Sequence, residues 1–308
     1  MDYSLGDVRK VLLGSEVGSV GRELLLKRLS RSKFMPRFDD LPVSLRWNLC
    51  RVKLGEGRWD WKGWELRSDW SVGCRRMMEV WDGKKEGKLI VLGEEGVGDE
   101  LMAASCFDDL PDCVIECDSR LLGHFQRSFP RHEFIERSSD WATRAGYDFM
   151  LPMLDLFRLY RRSPKSCPGG KYLTPDPERV AYWREVLPYR VGLSWKSRHG
   201  EQSPMRMKGV SLQYGIDSPE WMFVPDLDPV RDFADQINLI AALDSVISGP
   251  MSVVHAAGAL GVKTHVIMPP RGSGDVWNGL HWRYMCGLPF YANSTVYANM
   301  HDFKKRNK

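Results

Sequence analysis

Lys88-Leu89-Ile90-Val91-Leu92-Gly93-Glu94-Glu95-Gly96-Val97-Gly98-Asp99-Glu100-Leu101 is the stretch that decides the fold. The apolar run Leu89–Leu92 between Lys88 and Gly93 has the length of a buried strand. A glycine-rich turn follows it, then a helical stretch to about Leu110. Val114-Ile115-Glu116-Cys117 predicts a second strand, Leu121 to Phe129 a second helix, and His132 to Ile135 a third strand. Strand, glycine loop, helix and strand in that order argue a parallel α/β unit.

Toward the C-terminus, residues 163–178 are rich in Pro, Gly and Lys and read as a linker. A helix from Glu178 to Leu187 stops at Pro188. A second α/β half opens with a strand over Arg190 to Trp195 and another over Val210 to Tyr214. Phe233 to Leu243 suits a helix, Ser245 to Ser248 a strand, Ser252 to Leu260 a helix, and Thr264 to Met268 a last strand. Two such halves place a cleft between them, with ligands expected at the carboxyl ends of the strands. Toward the N-terminus, residues 17–70 read as helical. Leu24, Leu25, Leu26 and Leu29 form one patch, Leu45, Leu49 and Val52 keep an approximate helical period, and a short helix is expected from Trp59 to Trp70. The expected organisation is a helical extension (1–76), a first Rossmann-like domain (77–162), a linker with its helix (163–188), a second Rossmann-like domain (189–297) and a basic tail (298–308).

The 308 residues are 43% hydrophobic and 27% charged, which fits a folded chain with one or two sizeable cores and excludes fibrous and wholly disordered classes. No apolar run reaches the ~18 residues of a membrane span. The longest candidate, Val253 to Pro270, is broken by His255, Lys263 and His265. No signal-peptide pattern opens the chain. The seven cysteines (50, 74, 106, 113, 117, 167, 286) form no C-x-x-C pair, so a cytoplasmic, reducing setting without a zinc site is expected. The net charge of +4 is concentrated at the start: residues 1–76 carry 16 Lys/Arg against 10 Asp/Glu, the rest 28 against 30. A solvated helix surface accounts for that surplus, and steering of an anionic partner is the other reading.

Four features carry chemistry. A helix opening at Val97 aims backbone N–H groups at whatever sits over the loop and favours an anion. Gly96-Val97-Gly98-Asp99-Glu100-Leu101 supplies two glycines of a dinucleotide fingerprint but ends in Leu, and Asp99 and Glu100 would repel a pyrophosphate. Glu116 and Asp118 lie where a ribose hydroxyl would be held in a nicotinamide enzyme. Ser248-Gly249-Pro250-Met251-Ser252-Val253-Val254-His255 enters a small-residue helix through a Gly-Pro turn, with Ser252 as the expected N-cap and His255 in the first turn. A histidine there is a core residue or a diphosphate contact with about even odds. Asp226-Leu227-Asp228 has the D-x-D form of some metal-binding transferases, a pattern that chance often produces.

Taken in order, these elements resemble a GT-B glycosyltransferase, in particular the C-terminal domain of TPR-containing glycosyltransferases and, more distantly, the lipopolysaccharide heptosyltransferases. The likeness rests on Trp81-Asp82-Gly83, the Glu94–Asp99 loop, Lys171-Tyr172-Leu173-Thr174-Pro175-Asp176, Gly192-Leu193-Ser194-Trp195, Ser211-Leu212-Gln213-Tyr214-Gly215, Asp232-Phe233-Ala234-Asp235, His255–Gly261, His281-Trp282-Arg283 and Pro289-Phe290-Tyr291. Gly57 to Arg67 is similar to the end of a last TPR helix pair. The resemblance implies an α/β, GT-B fold with a TPR-like extension, inverting transfer from a nucleotide-sugar donor, and no metal or other cofactor. Asp99 matches the proposed general base, with Glu95, Gly96 and Gly98 forming the acceptor-side loop. Lys196 and Arg206 would offset charge on the leaving diphosphate, Gln213 and Tyr214 would line the nucleotide pocket, and Ser252, Val253 and His255 would meet the diphosphate or sugar. Modified DNA or other nucleic acid, glycan and protein all remain open as acceptors. The chain departs from the family in having Pro250-Met251 in place of Asp-Thr, and in having only 14 residues between Lys196 and Ser211. A non-catalytic sugar-nucleotide or nucleic-acid binding module and a nicotinamide oxidoreductase are the other two readings.

Overall fold

The computed structural model describes residues 41–307 except 42, 56–57, 67–74, 76, 141–143, 198–199, 202–206, 214–219 and 269–289. The helical reading of residues 17–40 lies outside them. Helix α1 (Val43–Gly55) forms as its apolar spacing suggests. The helix expected from Trp59 does not form over Trp59–Leu66, where only a 3-10 turn (Trp64–Leu66) is present. Asp60 is the local cause: its Oδ1 accepts the N–H of Lys62 at 3.1 Å and turns the chain. The tryptophans then insert in different directions instead of sharing a helix face. Trp61 and Trp64 meet edge to face with centroids 5.0 Å apart, and both pack on Phe157. Their indole N–H groups donate to Arg161 O and Leu154 O, each at 2.8 Å, so both rings are buried without an orphan donor.

The first α/β half contains β1 (Leu89–Leu92), α2 (Val97–Ala103), β2 (Val114–Cys117), α3 (Leu122–Ser128), β3 (Glu133–Glu136), β4 (Phe149–Pro152) and α4 (Leu156–Tyr160). The sheet order is β3-β2-β1-β4, with every pair parallel. All four residues of β1 are buried, as a strand covered on both faces requires. Strand β4 has no counterpart in the sequence reading. It is a four-residue run ending in Pro152, and Pro is tolerated at a strand end because the ladder asks nothing more of its missing N–H.

The linker leads into α5 (Pro177–Val186), capped by Asp176, whose side chain accepts from the N–H groups of Glu178 and Arg179. The second half contains β5 (Val191–Ser194), a short antiparallel hairpin β6 (Lys196–Ser197) and β7 (Gly200–Glu201), β8 (Val210–Ser211), α6 (Phe233–Ala241), β9 (Ser245–Ser248), α7 (Ser252–Leu260), β10 (Lys263–Ile267), β11 (Ser294–Tyr297) and α8 (Met300–Arg306). The main sheet is again all parallel, in the order β11-β10-β9-β5-β8. The sequence reading made β10 the last strand, but β11 pairs beyond it. The basic stretch after 297 is helical from Met300: Asn299 caps it at 3.0 Å from Asp302 N, and Phe303 packs edge-on against Tyr297 and His265.

In each sheet the chain starts centrally, fills one side and returns to the other. The resulting switch points, β1/β4 and β5/β9, are where such sheets bind ligands. The halves also touch directly. Arg120 Nη1 donates to Val230 O at 3.1 Å, and His124 Nε2 lies 2.8 Å from Ala234 O.

Candidate active site

The loop between β1 and α2 leaves the strand through buried Glu94, whose Oε1 accepts the N–H of Leu154 at 2.8 Å and so bridges the β1/β4 switch point. Glu95 is exposed and takes a left-handed φ of +58°, unusual for a residue with a side chain. Gly96 is the N-cap of α2. Asp99 Oδ2 reaches back to the Gly96 N–H at 3.2 Å, the half of a capping box that a glycine cap leaves available.

Loss of water around Asp99 is the dominant influence on its carboxyl and pushes it from 3.8 up to about 6, against the Gly96 N–H, which favours the anion. The neighbouring Glu95 carboxylate raises it further and Arg137 lowers it. Burial likewise pushes Glu100 from 4.5 up to about 7. Both groups bind protons more tightly folded than unfolded. The stability they contribute is therefore full below about pH 4 and lost as pH rises through about 6 and 7. A half-buried carboxyl with a midpoint near neutrality is suited to general-base work.

The second half approaches this loop through the first turn of α7. A Cβ on Gly98 would lie 2.9 Å from His255 Cδ2 and 3.2 Å from Ser252 Cα, so only glycine permits the contact. Replacing Gly98 with Ala is expected to cost about 1–3 kcal/mol in urea unfolding, because His255 is held and cannot give way. His255 is buried, and its Nδ1 is 2.9 Å from Tyr291 Oη. Tyr291 Oη lies 3.5 Å from Tyr172 Oη, which donates to Leu101 O at 2.9 Å. This chain of hydroxyls ties α7 back to α2, and the imidazole sits inside the contact between the halves instead of on an open wall.

Other expected site residues are placed as follows. The N-cap of α7 is Met251, without a side-chain cap bond; Ser252, expected at that position, is the first helical residue and Val253 the second. Ser194 Oγ lies 3.8 Å from Met251 Sδ, so Pro250-Met251 shapes the β5/β9 switch point. Gln213 is buried and its Oε1 accepts the N–H of Trp195 at 2.8 Å, joining the ends of β8 and β5. Lys196 belongs to the β6–β7 hairpin, while Arg206 and Tyr214 lie outside the described residues. Asp228 is used in a turn: its Oδ1 accepts from Val230 N and Arg231 N at 2.8 and 3.1 Å. Glu116 is ion-paired with buried Arg144, and Asp118 is bidentate to Arg120 at 2.7 Å for both bonds. The two carboxylates that a nicotinamide ribose would need are thus committed elsewhere. Among the described residues no cluster of His, Cys, Asp and Glu has the geometry of a metal site, and no helix is long and apolar enough to cross a membrane.

Sequence reasoning missed Arg137, the Glu94–Leu154 bond and the Trp64–Leu154 contact. These contacts carried no spacing signal, since their partners lie in a loop, a helix and a 3-10 turn distant in sequence.

Two Rossmann-like halves, each built on an all-parallel main sheet and meeting through the loop after the first strand and the first turn of a C-terminal helix, define an α/β fold of GT-B type. No protein-family model matches the chain. Protein FlbA of Caulobacter vibrioides is 26% identical over 271 residues, covering 69% of this chain and 45% of that protein, so the chain spans less than half the length of this relative. Solved structures similar to it include ADP-heptose lipopolysaccharide heptosyltransferase II of E. coli (12% identity, 68% of this chain and 90% of the other, TM-score 0.45). A family 9 glycosyl transferase from Veillonella parvula (9% identity, 75% and 93%, TM-score 0.45) and E. coli heptosyltransferase WaaC (10% identity, 72% and 100%, TM-score 0.36) are also similar.

Proposed function

We propose that this chain is a glycosyltransferase that moves a sugar from a nucleotide-sugar donor to an acceptor hydroxyl with inversion and without a metal, Asp99 serving as general base. The observation that carries this reading is the Asp99 carboxyl, raised to about 6 at the head of α2, beside the point where Gly98 meets Ser252 and His255 of the other half. In the step proposed, the acceptor oxygen bonds to the anomeric carbon from the face opposite the diphosphate. The bond from that carbon to the diphosphate oxygen breaks, its electron pair leaves with the nucleoside diphosphate, and the acceptor proton passes to Asp99.

Lys196 and Arg206 are assigned to the departing charge, together with the free N–H groups that open a helix such as α7 at Ser252 and Val253. Gln213 and Tyr214 are assigned to the nucleotide side, Gln213 by fixing the end of β5. His255 is assigned to holding the α7 turn against Gly98. Glu95, Gly96 and Gly98 form the acceptor-side loop. The acceptor is a hydroxyl on a modified nucleic acid, glycan or protein, and the reduced thiols of Cys106, Cys113, Cys117 and Cys167 suit work in the cytoplasm.

The first test is thermal unfolding against ADP, GDP, UDP and NAD without added metal. One of the diphosphates is expected to raise Tm by several degrees at a concentration about 100-fold above its Kd, equivalent to about 2.7 kcal/mol, and NAD is expected to raise it by none. Stabilisation by NAD alone would overturn the reading. A diphosphate that stabilises without any turnover of its sugar donor would favour the binding module.

A further inference from the structure

We propose that Arg137 is a positioning residue of this site, a clamp that fixes the glycine loop and through it the carboxyl of Asp99. The proposal rests on the glycosyltransferase reading above. Arg137 follows β3 directly, and its N–H donates to Cys117 O at 3.1 Å, so its backbone is held by the sheet. From there the side chain crosses the end of β2 to the exit of β1. Nη2 donates to Glu94 O at 2.8 Å and Nη1 to Glu95 O at 3.0 Å. The guanidinium also bonds and ion-pairs with Glu100 Oε1. Glu100 is fully buried, and its Oε2 accepts the N–H of Asp118 at 2.8 Å.

One planar group therefore grips the loop on both sides of Gly96 and Asp99: two carbonyls before the helix and one carboxylate within its first turn. The grip spans Glu95, whose left-handed backbone needs its neighbours to hold it. Gly93 shows how closely the parts fit, since a Cβ there would lie 2.6 Å from Arg137 Nε and 2.8 Å from Glu100 Oε1. A lysine has the charge but lacks the fork that reaches two carbonyls and a carboxylate together. The charged groups that act on Asp99 are Glu95 from its own loop and Arg137 from the end of β3, while His255 of α7 lies against the neighbouring Gly98.

The test compares Arg137→Lys, Arg137→Gln and Asp99→Asn in the full chain. Release of nucleoside diphosphate from ADP-, GDP- and UDP-sugars is followed across pH, with kcat and KM separated, and the Asp99 carboxyl is titrated by 13C NMR. Arg137→Lys is expected to lose about ten- to a hundredfold in kcat with donor KM within about twofold, the signature of a misplaced group and not of a lost donor contact. Arg137→Gln is expected to show the same loss, with both the acid limb and the NMR midpoint of Asp99 moved upward, since a cation favouring its anion is gone. Should Arg137→Gln fail to fold, Arg137→Lys decides. Full kcat and an unmoved acid limb in the Arg137 variants, alongside an inactive Asp99→Asn, would overturn the clamp and leave the transferase reading standing. An active Asp99→Asn would instead remove the reading on which the clamp rests.

Discussion

Asp99→Asn is expected to lower release of nucleoside diphosphate from the working sugar donor by about 10²–10⁴-fold, the span that a positioned general base contributes. The amide keeps the size of the carboxyl and an oxygen for the Gly96 N–H bond, so the loop should hold its shape. Donor binding, read by the same thermal shift as for the wild type, should remain. The wild-type rate should rise with pH through a midpoint near 6, where Asp99 gives up its proton, and this limb should vanish in the variant. Stability supplies an independent check. An ionised carboxyl poor in water costs the fold stability above about pH 6, so the neutral amide should melt no lower than wild type at pH 8. Unchanged turnover would take the role of base away from Asp99.

Trp64→Ala is expected to cost about 3–5 kcal/mol in urea unfolding, the range for removing a large buried aromatic side chain, a large part of the roughly 5–15 kcal/mol that holds a typical domain. Trp64 is 2% exposed and packs against Trp47, Trp61 and Phe157. Its loss empties the joint between the N-terminal segment and the first α/β half. It also removes the indole N–H that donates to Leu154 O at 2.8 Å, and the N–H of the same residue holds Glu94 at the exit of β1. The damage should therefore reach the glycine loop. Trp64→Phe separates the two contributions: it keeps most of the packing, loses the hydrogen bond, and should cost about 1 kcal/mol for that bond besides a smaller packing loss. A cost below 1 kcal/mol for Trp64→Ala would mean that the aromatic cluster is an ornament of the surface and not a joint.

Much of the α/β order was legible because strands such as Leu89–Leu92 are uninterrupted apolar runs and the helices carry stop signals, as Leu187-Pro188 does. Strands β4 and β11 were not: β4 ends in Pro152, which argues against a strand, and β11, Ser294-Thr295-Val296-Tyr297, has no uninterrupted apolar run. Over Trp59–Leu66 the expected helix does not form because apolar spacing does not reveal that Asp60 bends the chain. In the candidate site, the glycine loop stood out by its spacing, and Asp99 through the resemblance to the heptosyltransferases. The environment of Asp99 did not: a carboxylate at a helix start is expected to have a lowered midpoint, and only the surrounding protein reverses that.

By itself, then, the sequence determined local matters: most of the strands and helices of the two α/β halves, where the chain turns, and which loop offers a carboxyl beside backbone N–H groups. These depend on residues within a few positions of each other, where periodicity and turn chemistry act. The tertiary structure alone decided that Arg137 grips the Glu94–Glu95 carbonyls, that His255 is locked by Tyr291, and that Gly98 meets Ser252. Those contacts join residues 36 to 154 positions apart in the chain, and no local pattern encodes a distance closed only when two sheets pack.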